Sequence, residues 1–138
     1  MNSVQLGAEE ILKINVICSK PLEVGKDSRG TLKVIPIEGG HFEGVINGIV
    51  VSGGADWNTE WSEGAHVFAK YLLKTDDGQY IAIENEGIIL NDKSTVKTTP
   101  RFRTEGSGKY GWLNYGVYAG SLKGKSAEEV EIIIYKMK

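Results

Sequence analysis

Acidic, glycine and aromatic residues stand close together at one point of this chain. The segment VVSGGADWNTEW (Val50–Trp61) places Asp56 and Trp57 shortly after Gly53 and Gly54. If the segment borders a cavity, Asp56 is a candidate acid, base or hydrogen-bond acceptor, and Trp57 is an apolar wall. If it is a turn, the glycines reverse the chain, Asp56 accepts from backbone N–H groups, and Trp57 plugs the end of the fold. The residues leave both interpretations open.

A second cluster of candidate binding residues is WLN (Trp112–Asn114). On a strand, Trp112, Asn114 and Tyr118 share one face, because side chains alternate between the two faces. Two rings beside an amide predict a pocket that stacks a planar ligand and fixes it by hydrogen bonds. The alternative is an aromatic ladder in which Asn114 is bonded to the backbone.

Charged residues that could join these clusters lie on a predicted hairpin. Lys70 and Tyr71 are neighbours on one strand, so at most one of them points inward. A polar cavity would take Lys70, and a dry interior would take Tyr71. Glu84 and Asn85 pose the same question on the returning strand. A buried Lys70 would need a partner such as Glu84 or Asp56. The candidate ligand-binding residues are Asp56, Trp57, Lys70, Glu84, Trp112 and Asn114.

The sequence predicts no metal site and no cofactor. His41 and His66 are far apart in the chain and have no HxH or HxxxH spacing, so a metal site would need both to converge with Asp56. There is no GxSxG motif, no Ser-His-Asp pattern and no phosphate-binding glycine loop. The single cysteine, Cys18, closes an apolar run and is predicted to be a core residue.

Length and composition indicate one globular domain over residues 1–138, with 41% hydrophobic and 25% charged residues. A net charge of −2 without a basic block argues against nucleic acid as a partner. No apolar run is long enough to span a bilayer, so no membrane partner is predicted. One cysteine cannot form an internal disulfide, so we expect a cytoplasmic protein of bacterial type.

The chain is predicted to fold mainly as short strands separated by turns. The sequence TDDGQ (Thr75–Gln79) contains an Asp-Gly pair, which is typical of a β-hairpin. About eight or nine strands with regular turn signals are typical of a sandwich or barrel. Successive hairpins and glycine-bent strands favour a single-domain antiparallel up-and-down β-barrel. The main predicted strands are Ile11–Cys18, Thr31–Ile37, His41–Ser52, Ala65–Thr75, Tyr80–Asn85, Gly111–Gly120 and Glu129–Met137. Two shorter predicted strands are GIIL (Gly87–Leu90) and TVKTTPRFRT (Thr95–Thr104).

Taken in order, five segments resemble a family of small bacterial and fungal proteins known as domain of unknown function thirty-two thirty-seven. The resemblance extends from about Leu12 to Tyr135. The segments are PLEVG (Pro21–Gly25), the GGADW-containing stretch Gly30–Trp57, AKYLLKTDDGQYIAIENEG (Ala69–Gly87), TPRFRT (Thr99–Thr104) and YGWLNYGVYAG (Tyr110–Gly120).

The resemblance implies a calycin-like or allene-oxide-cyclase-like barrel and no established activity. Similar members commonly carry Arg at the position of Lys70, and a basic residue after the glycine matched by Gly87. This chain has Ile88 and Ile89 there. If those basic groups bind an anion in the family, this protein would bind a different ligand.

A barrel of this size can enclose one small ligand. The sequence therefore favours a small-molecule-binding barrel with a partly polar cavity. The first alternative is a cofactor-independent isomerase, cyclase or lyase in which Asp56 or Glu84 transfers a proton. The second is an interaction module whose strand edges pair into a homodimer. Whether the protein is an enzyme is left open.

Overall fold

The computed structural model describes residues 1–94 and 96–138, which form nine strands and one 3₁₀ helix, η1. No helix among these residues is long and apolar enough to cross a membrane. The strands are β1 (Ala8–Cys18), β2 (Leu22–Asp27), β3 (Gly30–Gly44), β4 (Gly48–Trp61), β5 (Gly64–Thr75), β6 (Tyr80–Leu90), β7 (Lys97–Thr104), β8 (Tyr118–Gly124) and β9 (Glu129–Met137), with η1 at Gly111–Tyr115.

The strands form a closed antiparallel barrel, as predicted. From β3 to β9 each strand pairs with the next along the chain, and β9 pairs with β1. The ring closes where β1 pairs with the second half of β3, from Leu12 opposite Gly44 to Cys18 opposite Ile37. Eight strands make up the barrel, and β2 pairs with the first half of β3 outside it.

Alternation of side chains fixes which residues of β5 and β6 face the interior. Tyr71 and Leu73 are buried, whereas Lys70 and Leu72 are exposed. The Asp-Gly turn between the strands was predicted correctly: the Gly78 N–H donates to the Thr75 carbonyl at 2.9 Å, and Gly78 has a φ of 88°. This turn sets a regular register over the whole hairpin.

One end of the barrel is packed with large apolar side chains. The ends of β3, β5, β7 and β9 meet there with the starts of β1, β4, β6 and β8, because neighbouring strands are antiparallel. Leu113 of η1 packs into the same cluster and is 1% exposed. The largest fully buried side chains are Phe42, Leu12, Ile14, Leu73, Ile81, Ile83, Leu113 and Ile134.

Several predicted elements differ from the structure. The segment His41–Ser52 is two strands, because β3 ends at Gly44 and β4 begins at Gly48. WLN belongs to η1 and not to a strand. β6 continues through GIIL to Leu90 as one strand, and β2 was not predicted. The predicted strand TVKTTPRFRT begins at Thr95, outside the described residues, and β7 covers Lys97–Thr104.

The segment GGADW is not a turn but lies inside β4. The pairing of β4 with β5 shifts between Val51 and Ala55, so Ser52, Gly53 and Gly54 form a bulge. Gly53 has a φ of 118°, which suits glycine. The bulge lets β4 continue, with Asp56 opposite Ala69 on β5.

Gly54→Ala is predicted to destabilise the fold, because a Cβ at this position would clash with the Tyr71 side chain and the Lys70 carbonyl. We expect a loss of about 1–3 kcal/mol in the free energy of unfolding, as for overpacked cores. Urea unfolding measures the loss. Gly106→Ala is the matched control, since nothing lies within 4 Å of its added Cβ. Equal stability of the two variants would contradict the bulge packing.

Candidate functional site

A cavity of about 300 Å³ lies inside the barrel, at the end opposite the packed core. Most of its wall is apolar and comes from β1, β3, β5, β8 and β9. Its polar lining comes from Asp56, Asn58, Tyr71 and Asn85, together with the thiol of Cys18. The volume is at the lower end of the range for small-ligand sites, about 300–1,000 Å³.

Strand pairing places the polar residues of the cavity side by side. Asp56 on β4 is opposite Ala69 on β5, and Ala69 is opposite Asn85 on β6. Tyr71 is two residues beyond Ala69 on the same inward face. Diagonal neighbours on one face of a sheet are about 7–8 Å apart. The small side chain of Ala69 therefore leaves room between Asp56, Asn85 and Tyr71.

Asp56 is a half-buried carboxylate whose pKa is raised. Burial is the main cause, because it disfavours the charged form. The Phe68 N–H donates to Asp56 Oδ1 at 3.0 Å and lowers the pKa, as do the Asn58 side chain and the charge of His66. Burial outweighs these contacts, so Asp56 holds its proton more tightly than a free aspartate does.

The charge of Asp56 acts on two other groups that line the cavity. Burial raises the pKa of the Cys18 thiol, and the negative charge of Asp56 raises it further. The pKa of Tyr71 is raised by complete burial and then by the charges of Cys18 and Asp56. Tyr71 and Cys18 therefore stay protonated near neutral pH, and Cys18 is not an activated thiol.

Two side-chain oxygens of the cavity residues, Tyr71 Oη and Asn85 Oδ1, have no hydrogen-bond partner among the described residues. Tyr71 is 4% exposed and Asn85 is 3% exposed. Gly120 lies next to the Asn85 amide, since a Cβ there would be 3.6 Å from Asn85 Oδ1 and would clash with Thr98 Oγ1. Buried polar atoms in native proteins are usually hydrogen-bonded, so these two are places where a bound molecule would gain contacts.

Three of the predicted site residues lie on the outer surface of the barrel. Trp57 is 53% exposed and faces away from Asp56, its neighbour on β4. Lys70 and Glu84 form an exposed ion pair at 3.2 Å. The structure therefore places Tyr71 and Asn85 inside, where the sequence had offered Lys70 and Glu84 for a polar cavity. The interior cavity obtains polar groups from Asp56 and from the uncharged Asn85, so its polarity does not require a buried lysine.

The WLN cluster lies at the packed end, away from the cavity. Asn114 bridges one residue of β7: its Oδ1 accepts from the Thr104 N–H at 2.8 Å, and its Nδ2 donates to the Thr104 carbonyl at 2.9 Å. The Trp112 ring lies outside under Lys136, whose Nζ is 4.9 Å from the ring centroid. Because η1 holds Trp112 and Asn114 at the packed end, these side chains do not share a pocket with Asp56 as the sequence had predicted.

The two histidines do not come together with Asp56. His66 Nε2 lies 2.7 Å from Glu86 Oε2 on the outer surface, and His41 Nε2 lies 3.3 Å from the side-chain Nδ2 of Asn15. Among residues 1–94 and 96–138, no three His, Cys, Asp or Glu side chains are arranged to hold a metal ion.

Sequence reasoning did not select Tyr71, Asn85 or Asn58 as site residues. The signal was available in the hairpin, because the Asp-Gly turn fixes Ala69 opposite Asn85. The face of β5 that carries Tyr71 looks wholly apolar in the sequence. Only the structure shows that this face is buried and that it meets polar residues from β4 and β6.

The fold and the cavity define a class: a closed eight-stranded antiparallel barrel with a small, partly polar interior cavity. The chain belongs to the family described as "Protein of unknown function (DUF3237)", whose model matches residues 7–137.

Other proteins are similar to this chain, in sequence or in fold, over almost its whole length. UPF0311 protein blr7842 of Bradyrhizobium diazoefficiens is 28% identical, over 96% of this chain and 97% of its own length. A crystal structure described as a beta-barrel like protein, from Acinetobacter baumannii AYE, is 30% identical, with a TM-score of 0.88 and 99% of each chain covered. An enzyme from Penicillium herquei is 20% identical, with a TM-score of 0.82 over 100% of this chain and 98% of its own, and shows the same fold.

The raised pKa of Asp56 predicts how stability changes with pH. At pH values between the unfolded pKa, about 3.9, and the higher folded pKa, the native state binds more protons than the unfolded state. Stability from this group is therefore full below the unfolded pKa and is lost as pH rises through the folded pKa. Asp56→Asn removes this dependence. Urea unfolding of both proteins from pH 4 to pH 8 should show wild type losing stability relative to Asp56→Asn as pH rises.

The opposite trend, with wild type gaining stability relative to Asp56→Asn over this range, would mean that hydrogen bonds to Asp56 outweigh its burial. A flat difference would place the carboxylate in water, outside the cavity.

Proposed function

We propose that this protein binds a small molecule inside the barrel, with Asp56 at the polar side of the site. The observation that carries the proposal is the grouping of Asp56, Tyr71 and Asn85 around Ala69 in a mostly apolar cavity of about 300 Å³. An apolar wall supplies affinity by burial, and a few placed polar groups set orientation.

The interior cavity is favoured over the larger depression on the outer surface. That depression, about 610 Å³, lies over the bulge of β4 beside Trp57, Leu72 and Lys70. Lys70 is already paired with Glu84, and both side chains are exposed. Sites for small molecules bury most of the ligand surface, and the barrel interior offers the deeper enclosure.

Filling the cavity is predicted to abolish binding. Ala69→Phe places a ring between Asp56 and Asn85, so a compound that raises the Tm of wild type should not raise the Tm of this variant. A metabolite panel read by thermal shift identifies such compounds. At about 100-fold excess over Kd a ligand adds about 2.7 kcal/mol to stability. Asp56→Asn should reduce the affinity for the compound about tenfold, because a contact to a charged group is removed.

Lys70→Met is the control for this experiment. Its side chain is on the outer surface, so the ligand-induced shift in Tm should equal that of wild type. A loss of binding in Lys70→Met with full binding in Ala69→Phe would move the site to the outer depression. If no compound in the panel raises the Tm of wild type or of Lys70→Met, the binding proposal is overturned.

A second candidate function is proton transfer without a cofactor, in an isomerase, cyclase or lyase. One observation favours it: the pKa of Asp56 is raised inside a cavity, which moves a carboxylate toward the range of a general acid or base. Glu84, the other acid considered, lies outside in its ion pair with Lys70. Asp56 is therefore the residue proposed for this role.

Turnover separates catalysis from binding. For any compound that binds, an enzyme would convert it, and Asp56→Asn would reduce kcat by about 10²–10⁴ while the compound still raised Tm. Product formation is measured by mass spectrometry. Conversion at an equal rate by Asp56→Asn would exclude this carboxylate as the acid or base.

We also propose that the protein is cytoplasmic, since its single cysteine gives no reason for an oxidising compartment.

Pairing of two copies into a dimer is a further prediction. Barrel closure leaves few free strand edges, and the outer edge of β2 is where a second copy would add a strand. Sedimentation velocity would detect the dimer.

A further inference from the structure

We propose that the interior site takes an uncharged molecule that carries a hydroxyl group, and that this hydroxyl binds between Tyr71 Oη and Asn85 Oδ1. The inference rests on the proposed function, because it concerns the same cavity. It goes further by giving the chemical class of the ligand.

The donor and acceptor properties of the two free oxygens define this class. Asn85 Oδ1 can only accept a hydrogen bond, and the Tyr71 hydroxyl can donate one. Both side chains are more than nine-tenths buried, and neither oxygen has a partner among the described residues. A ligand hydroxyl can donate to Asn85 and accept from Tyr71 at once. A ketone or ether cannot donate, so it would leave Asn85 Oδ1 unsatisfied.

The charges of the cavity argue against an anionic ligand. Among the described residues, no Lys or Arg side chain lines the cavity, and the one carboxylate that does is that of Asp56. A second carboxylate would enter an apolar space beside Asp56 without a positive partner, which is costly. An ammonium group could pair with Asp56, but it carries donors only and leaves the Tyr71 O–H without an acceptor.

The remaining wall fits a compact hydrocarbon skeleton. Beyond the polar groups, the cavity is lined by aliphatic side chains such as Ile35, Val67, Leu122 and Val130. Contact with aliphatic walls increases affinity in proportion to the apolar area buried, but it does not fix the orientation of the ligand. The hydroxyl would therefore set the orientation of the ligand, and the hydrocarbon would fill the space toward β1 and β9.

Four probes with one skeleton test the inference: cyclohexylmethanol, its methyl ether, cyclohexanecarboxylate and cyclohexylmethylamine. Binding to the full chain is measured by Tm shift and by NMR titration. We expect the alcohol to bind about tenfold more tightly than the ether, which lacks the donated hydrogen bond. The carboxylate and the amine should bind more weakly than the alcohol.

Two variants tie the preference to the named atoms. Asn85→Leu should reduce the affinity for the alcohol about tenfold and leave the affinity for the ether unchanged, because the ether donates no hydrogen bond. Tyr71→Phe should reduce the affinity for both compounds about tenfold, because the oxygen of each accepts from the Tyr71 O–H. Without ligand, Tyr71→Phe should be at least as stable as wild type, because it removes a buried hydroxyl that has no hydrogen-bond partner in the described part of the chain. A purely structural hydroxyl would instead lower stability when removed.

The outcomes separate this inference from the proposed function. If the ether, the carboxylate or the amine binds as well as the alcohol, the hydroxyl inference is wrong and the binding barrel stands. It is also wrong if Tyr71→Phe keeps full affinity for the alcohol, as it would if water satisfied these oxygens. A third case is that none of the four probes binds but a panel compound does. The inference then fails if that compound lacks a hydroxyl, or if it binds Tyr71→Phe as tightly as it binds wild type. Failure of the probes and of the whole panel overturns both.

Discussion

The pairing of β1 with the second half of β3 is the constraint on which the rest of the structure depends. β3 has 15 residues. Along one edge it pairs with β2 over its first half and with β1 over its second, and along the other edge it pairs with β4 in both halves. This exchange of partners turns a sheet with two edges into a closed barrel. Closure creates an interior, and every inward side chain then either packs against others or borders a cavity.

The two ends of that interior have different roles. Large side chains such as Phe42, Leu73 and Ile81 fill one end, and Leu113 of η1 packs with them. At the other end smaller residues, Ala69 above all, leave room for Asp56 and Asn85. A rigid packed half can hold a few polar groups in fixed positions, which is how protein scaffolds preorganise a site. The bulge at Ser52–Gly54 keeps Asp56 on the inward face.

The barrel could be predicted from the sequence because its signals are local. The alternating residues of β5 and the Asp-Gly turn at Gly78 specify a hairpin without tertiary information. The site could not be predicted in the same way. Trp57 and Lys70 looked chemically suitable, but alternation places each on the opposite face from Asp56 and Tyr71, and only closure shows which face is inside. Asn114 was misplaced because an aromatic segment that resembles a strand forms a 3₁₀ helix.

The most direct measurement is a crystal structure of the protein with the compound that gives the largest thermal shift. We expect ordered density for that compound inside the barrel, in contact with Asp56 and filling the space beside Ala69. Density in the outer depression beside Trp57 and Lys70, with side chains filling the barrel interior, would contradict it.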